Sequence, residues 1–199
     1  LQRQGKIATQ DAEVISLLKD EGAIILGKTN TPALCFAQET ENKLYGRTNN
    51  PWDLNRTAGG STGGEGAVIA VGGSALGIGS DIGGSIRFPC HFNGIIGFKS
   101  GNMQVSDRGH FPTAAEPLQQ RMLGLGAMSK SVNDAELLNQ IISNVSTPKN
   151  DLDRFHITVL PQQPGIPLDE KTRSSLKEIK KFLEKDFPVD EMTPPYFDR

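Results

Sequence analysis

The chain has 199 residues, a net charge of −2 and 36% hydrophobic residues, enough for one sizeable core. Its 21 basic and 23 acidic side chains nearly balance, which argues against nucleic acid or an anionic membrane as partner. No apolar run approaches the roughly 20 residues of a bilayer span, and the isolated Cys35 and Cys90 indicate neither a disulfide framework nor a metal cluster and favour a cytoplasmic setting.

In chain order, "TQDAEVISLLKDEG" (Thr9 to Gly22) places Val14, Leu17 and Leu18 at helical spacing. Thr9 is the expected cap and Gly22 the expected stop. "AIILGKT" reads as a short apolar strand, and Asn42 to Gly60 as a long ordered loop. "TGGEGAVIAVGG" reads as a buried helix starting at its glycines, "SALGIG" as a buried strand, "GSIRFPCHFNG" as a short helix and "IIGFK" as another strand. Gly101 to Leu123 shows little periodicity and reads as loop, followed by a helix over "MSKSVNDAELLNQIIS". "PKNDLDR" is a surface linker, "FHITVLP" a strand, "LDEKTRSSLKEIKKFLEKDF" a long amphipathic helix and "VDEM" a further strand. Strands alternating with helices indicate an α/β fold, a mixed sheet flanked by helices. The alternation continues to the end, so residues 1–199 are read as part of a single domain. The chain opens "LQRQGKIATQ" without a signal peptide and closes "MTPPYFDR"; both ends read as cuts through a longer polypeptide.

The chemistry is concentrated in "GGSTGGEG" (Gly59 to Gly66) and "GSDIGGSIRFP" (Gly79 to Pro89), whose serines, Ser61 and Ser85, are separated by 85 − 61 = 24 positions. A strand, a glycine turn and a helix starting near Ser85 aim backbone N–H groups into one concavity, which stabilises negative charge. If that charge is the oxyanion of a tetrahedral intermediate, the N–H groups of Ile82, Gly83, Gly84 and Ser85 form an oxyanion hole and Ser85 is an acyl-transfer nucleophile. A serine nucleophile needs a base. None of His91, His110 and His156 has a recognisable triad setting, and His91, six residues beyond Ser85, reads as structural.

The paired motifs, with "GAIILGKTNTPALC", "YGRTNNPWD", "FNGIIGFKS" and "LGLGAMSKSVNDAELL" around them, resemble the amidase signature family over roughly residues 9–142. Within it, "GGSTGGEG" and "SDIGGSIRFP" look most like the fatty acid amide hydrolase branch, with amidotransferase A subunits more distant. The resemblance implies amide hydrolysis through a Ser–Ser–Lys triad and an acyl-enzyme, with no cofactor and no metal. Ser85 matches the nucleophile and Ser61 the bridging serine, which follows a cis peptide. Ile82, Gly83, Gly84 and Ser85 match the oxyanion hole. Asp81 and Arg87 match residues that brace the loop, and Thr62 stands where the family often has a further serine. The family's lysine would lie upstream of Leu1. Lys19, on the polar side of a helix, and Lys28, at the end of an apolar strand, are the substitutes this chain offers.

Other readings are weaker. "GIGSDIG" (Gly77 to Gly83) sits where a dinucleotide-binding turn would, but its G-x-G-x-x-x-G spacing departs from that fingerprint and leaves "GGSTGG" unexplained. An amidase-like binding scaffold or inactive fragment, and an amidotransferase A subunit, remain as alternatives. The expected partners are a small-molecule amide and, through exposed sheet surface, a second copy or a complementary chain of the same precursor.

Overall fold

The computed structural model describes residues 5, 7–143, 155–160 and 167–192. The chain folds as two compact units, residues 1–147 and 148–199. In the first, a three-stranded antiparallel sheet is built from β5 (Leu76–Asp81), β6 (Ile96–Lys99) and β7 (Gly124–Ser129), in the order β5-β7-β6. Side chains alternate across a strand, and each strand uses the two faces differently. Leu125 and Ala127 of β7 pack with Leu76, Ile78 and Ile96 against α1 (Glu13–Asp20) and α5 (Val132–Ile142), through Val14, Leu18, Leu138 and Ile142. On the opposite face Met128 packs with Ile69 of α2 (Gly63–Ala70), and with Ile86 and Cys90 at and within α3 (Arg87–Asn93). Burying each such aliphatic side chain contributes about 1.5–3 kcal/mol.

The second face explains the glycines of "LGIGSD". A Cβ at Gly79 would meet Thr62 Oγ1 at 3.0 Å, and one at Gly97 would meet Cys90 Cβ at 2.8 Å. Strand positions without side chains thus let α2 and the Ser85 segment lie directly on the sheet, and the two serine motifs converge there.

Several expectations are corrected by the structure. The cap of α1 is Ala12, without a side-chain bond, rather than Thr9. Tertiary contacts fix this helix start: Glu13 N–H donates to the Arg108 carbonyl at 3.1 Å, and the Glu13 carboxylate accepts from Ser106 Oγ and pairs with Arg108. Gly22 does end the turn, with φ +82°, the left-handed conformation glycine adopts freely. "AIILGKT" forms no strand and has no ladder partner among the described residues, and Ile24 and Leu26 are 86% and 73% exposed. A strand exists only when its backbone groups are paired.

Most of the segment read as a loop forms two small hairpins over residues 41–57: β1 (Glu41–Asn42) with β2 (Gly46–Arg47), and β3 (Asn49–Asn50) with β4 (Asp53–Thr57). Asparagines build their turns. Asn42 Oδ1 accepts the N–H groups of Leu44 and Tyr45, and Asn50 Oδ1 accepts that of Trp52, as such side chains do in turns. β7 is the larger omission: Met128 and Ser129 belong to this central strand, and α5 begins only at Val132. Its cap is Ser131, whose hydroxyl accepts Asp134 N–H at 3.1 Å. The segment read as loop ends in a short helix, α4 (Pro117–Met122).

In the second unit, β8 (Ile157–Val159) pairs in parallel with β9 (Val189–Glu191), and α6 (Glu170–Leu183) connects them. Asp169 caps α6 by accepting the N–H groups of Lys171 and Thr172. The expected linker "PKNDLDR" lies outside the described residues. Among the described residues no helix is long and apolar enough to cross a membrane.

Candidate active site

β5 ends at Asp81, and the chain turns through Ile82, Gly83 and Gly84 to Ser85 before α3 begins. Gly84 has φ +113° and lies against the Phe88 ring, so a side chain there would be both strained and crowded. Asp81 organises this turn. Its fully buried carboxylate accepts Gly84 N–H at 2.7 Å on Oδ1, and Ile86 N–H at 3.0 Å and Arg87 N–H at 3.2 Å on Oδ2. The Arg87 guanidinium adds a bidentate pair, Nε to Oδ2 at 3.0 Å and Nη2 to Oδ1 at 2.8 Å. Burial pushes the Asp81 pKa up, but Arg87 and the three backbone donors outweigh it and hold it at about 2. The carboxylate is therefore a fixed negative charge whose donors dictate the path of the loop.

The other motif approaches from α2. The Gly60–Ser61 peptide is cis, Ser61 is buried, and Thr62 stands at the start of α2. Thr62 N–H donates to the Ser85 carbonyl at 3.1 Å, which sets the two glycine-serine turns backbone against backbone. Ser85 itself is half-buried. Of the four turn N–H groups, that of Gly84 goes to Asp81; those of Ile82, Gly83 and Ser85 make no hydrogen bond among the described residues.

Other groups named from the sequence lie elsewhere. Lys19 is exposed and paired with Asp11 at 2.6 Å, and Lys28 is exposed. His91 is exposed beside the Phe92 ring, His110 Nδ1 contacts the Pro112 carbonyl at 2.9 Å, and His156 pairs with Asp190. Among the described residues no group of three His, Cys, Asp or Glu side chains could hold a metal ion.

Three polar residues around the site were not legible beforehand: Thr40, Glu65 and Asn93. Glu65 stands on α2 over Gly77 of β5 and accepts from Thr29 Oγ1 at 2.8 Å; burial pushes its carboxyl pKa up against that bond. Asn93 Nδ2 donates to the Ala58 and Pro89 carbonyls, both at 2.7 Å, tying the approach to Gly59 to α3. Glu65 and Asn93 are single polar residues in stretches read for their glycines or apolar residues, and Thr40 falls between the quoted motifs, so no periodicity flags any of them.

Cys90, beneath the same loop, is also set by its surroundings. Burial, with the Asp81 charge as the smaller cause, pushes its thiol up to about 12, far from the thiolate form that reacts. Alkylation of the native protein at neutral pH is therefore expected to modify half-buried Cys35 and spare Cys90. Peptide mass mapping checks this, and equal labelling of both thiols would contradict the burial of Cys90.

The fold is that of the amidase signature enzymes. A solved structure of a fatty acid amide hydrolase superposes with a TM-score of 0.82 at 25% identity, covering 96% of this chain and 36% of that one. The chain belongs to the Amidase family, whose model matches residues 1–199. It is 42% identical over 188 residues to fatty-acid amide hydrolase 2-B of Danio rerio, covering 91% of this chain and 36% of that protein. It is also 41% identical over 180 residues to a glutamyl-tRNA(Gln) amidotransferase subunit of Sulfolobus acidocaldarius, covering 90% of this chain and 36% of that protein. The chain thus spans about a third of the length of the curated relatives it matches.

Proposed function

We propose that this chain carries the nucleophile and relay of an amide hydrolase, with Ser85 attacking the amide carbonyl and Ser61 passing the proton. The observation that carries the reading is the Thr62 N–H to Ser85 carbonyl bond at 3.1 Å, which brings the two serine turns together on one face of the sheet. As Ser85 Oγ bonds to the carbonyl carbon, its proton passes to Ser61 Oγ, and the Ser61 proton to a neutral lysine amine. Neither exposed Lys28 nor ion-paired Lys19 suits that base; the family resemblance supports a lysine other than these two. The N–H groups of Ile82, Gly83 and Ser85 stabilise the oxyanion, and Gly84 supplies the turn that aims them. Collapse of the tetrahedral intermediate expels the amine, which takes back a proton through Ser61. Water then cleaves the Ser85 ester and frees the acid. Asp81 and Arg87 hold the loop and touch no reacting atom.

A hydrolase of fatty acyl amides is the reading favoured by the 42% identity to fatty-acid amide hydrolase 2-B. The 41% identity to the glutamyl-tRNA(Gln) amidotransferase chain supports a second reading, in which the same acyl transfer releases ammonia for use on a partner. The full-length protein alone, without ATP or tRNA, is expected to hydrolyse long-chain acyl amides faster than glutamine. Turnover of glutamine only, and only with a partner protein present, would favour the second reading.

A further inference from the structure

We propose that Thr40 is a positioning residue for Ser61, with one buried hydroxyl fixing the backbone on both sides of the Gly60–Ser61 peptide. The inference rests on the reading of Ser61 as the proton relay, and it assigns a role to a residue outside both serine motifs. Thr40 stands just before β1 and has no exposed surface. Its Oγ1 donates to the Gly59 carbonyl at 2.8 Å and accepts Gly63 N–H at 3.0 Å, with the Ser61 carbonyl at 3.4 Å. The two shorter partners flank Ser61, one two residues before it and one two residues after. A single hydroxyl therefore spans the turn in which Ser61 sits.

The chain around Thr40 is moulded to that turn. A Cβ at Gly60 would fall 2.7 Å from the Ala37 carbonyl oxygen, and one at Gly63 would fall 2.9 Å from Thr40 Cβ. From the other side, Asn93 ties Ala58 to α3, the helix that follows Ser85. Ser61 is thus located relative to Ser85 by two posts, Thr40 and Asn93. Valine has nearly the shape of threonine and neither hydrogen-bonding function. At position 40 it would leave the Gly59 carbonyl and Gly63 N–H buried without their partner, and such groups move to recover one. A shift of about 1 Å in a proton relay costs on the order of 10²-fold in rate.

The test is the rate at which a fluorophosphonate labels Ser85 in the full-length protein, read beside kcat and KM. Thr40→Val is expected to lower labelling and kcat on the order of 10²-fold with KM nearly unchanged, while Thr40→Ser keeps the wild-type rate. In a Ser61→Ala background, Thr40→Val should cause no further loss, because Thr40 acts only through Ser61. If valine prevents folding, Thr40→Ala takes its place with the same expected drop. A wild-type rate for Thr40→Val or Thr40→Ala beside a slow Ser61→Ala overturns the role of Thr40 and leaves the relay standing. So does a slow Thr40→Ser or an additive double variant. A wild-type rate for Ser61→Ala instead removes the relay itself, and the proposal with it.

Discussion

Replacing Ser85 by alanine is expected to abolish amide hydrolysis by the full-length protein while leaving its fold intact. The Ser85 hydroxyl makes no hydrogen bond among the described residues, and the side chain is only half-buried. The structural contributions at this position come from the backbone, whose carbonyl receives Thr62 N–H, and alanine keeps them. Losing a nucleophile removes the covalent route altogether, a fall of about 10⁴–10⁶-fold where comparable residues have been deleted. Turnover within a small factor of wild type, with an unchanged melting curve, would take the nucleophile away from Ser85.

Asp81→Asn is expected to produce the largest combined loss, of stability and of activity. The five donors that converge on the carboxylate would face an amide that accepts at one atom only. Bonds to a buried charge contribute about 1.5–3 kcal/mol, and here they also define the turn that carries Ser85, so rate should fall with stability. The acid response of the wild type follows from the same group. Its folded pKa, about 2, lies below the ordinary value of 3.8, so the stabilisation is fully present above pH 4. It is lost as pH falls from about 4 towards 2, and it amounts to roughly 2 kcal/mol. Urea midpoints measured across that interval should decline in the wild type and decline less in Asp81→Asn. Parallel curves for the two proteins would show that Asp81 is not the group responsible.

The site was legible where chemistry demands unusual residues. Adjacent glycines before a serine, twice, have few structural uses, and the strand-turn-helix setting of Ser85 follows from "LGIGSDIGGSIRFP" alone. The apolar run "SALGIG" marked β5, although the strand begins at Leu76 and runs on to Asp81, and the helical spacing in α1, α5 and α6 marked those helices. β7 was missed because Gly124 and Gly126 supply no side chains to show its period of two, and because Met128 and Ser129 merge into the helical pattern that follows. The hairpins of residues 41–57 were missed because asparagine side chains, not a glycine turn signature, close them. Thr40 and Asn93 act through bonds to backbone atoms 19 and 35 residues away, and no local pattern announces such partners. "AIILGKT" has the composition of a strand, but pairing is a tertiary event that its own residues do not determine.

The most direct test of the central claim is to treat the full-length protein with a fluorophosphonate and map the adduct by peptide mass spectrometry. A single stoichiometric adduct on Ser85 is expected, formed slowly when Ser61 is replaced by alanine. An adduct on another residue, or none from a folded protein that hydrolyses amides, would contradict that claim.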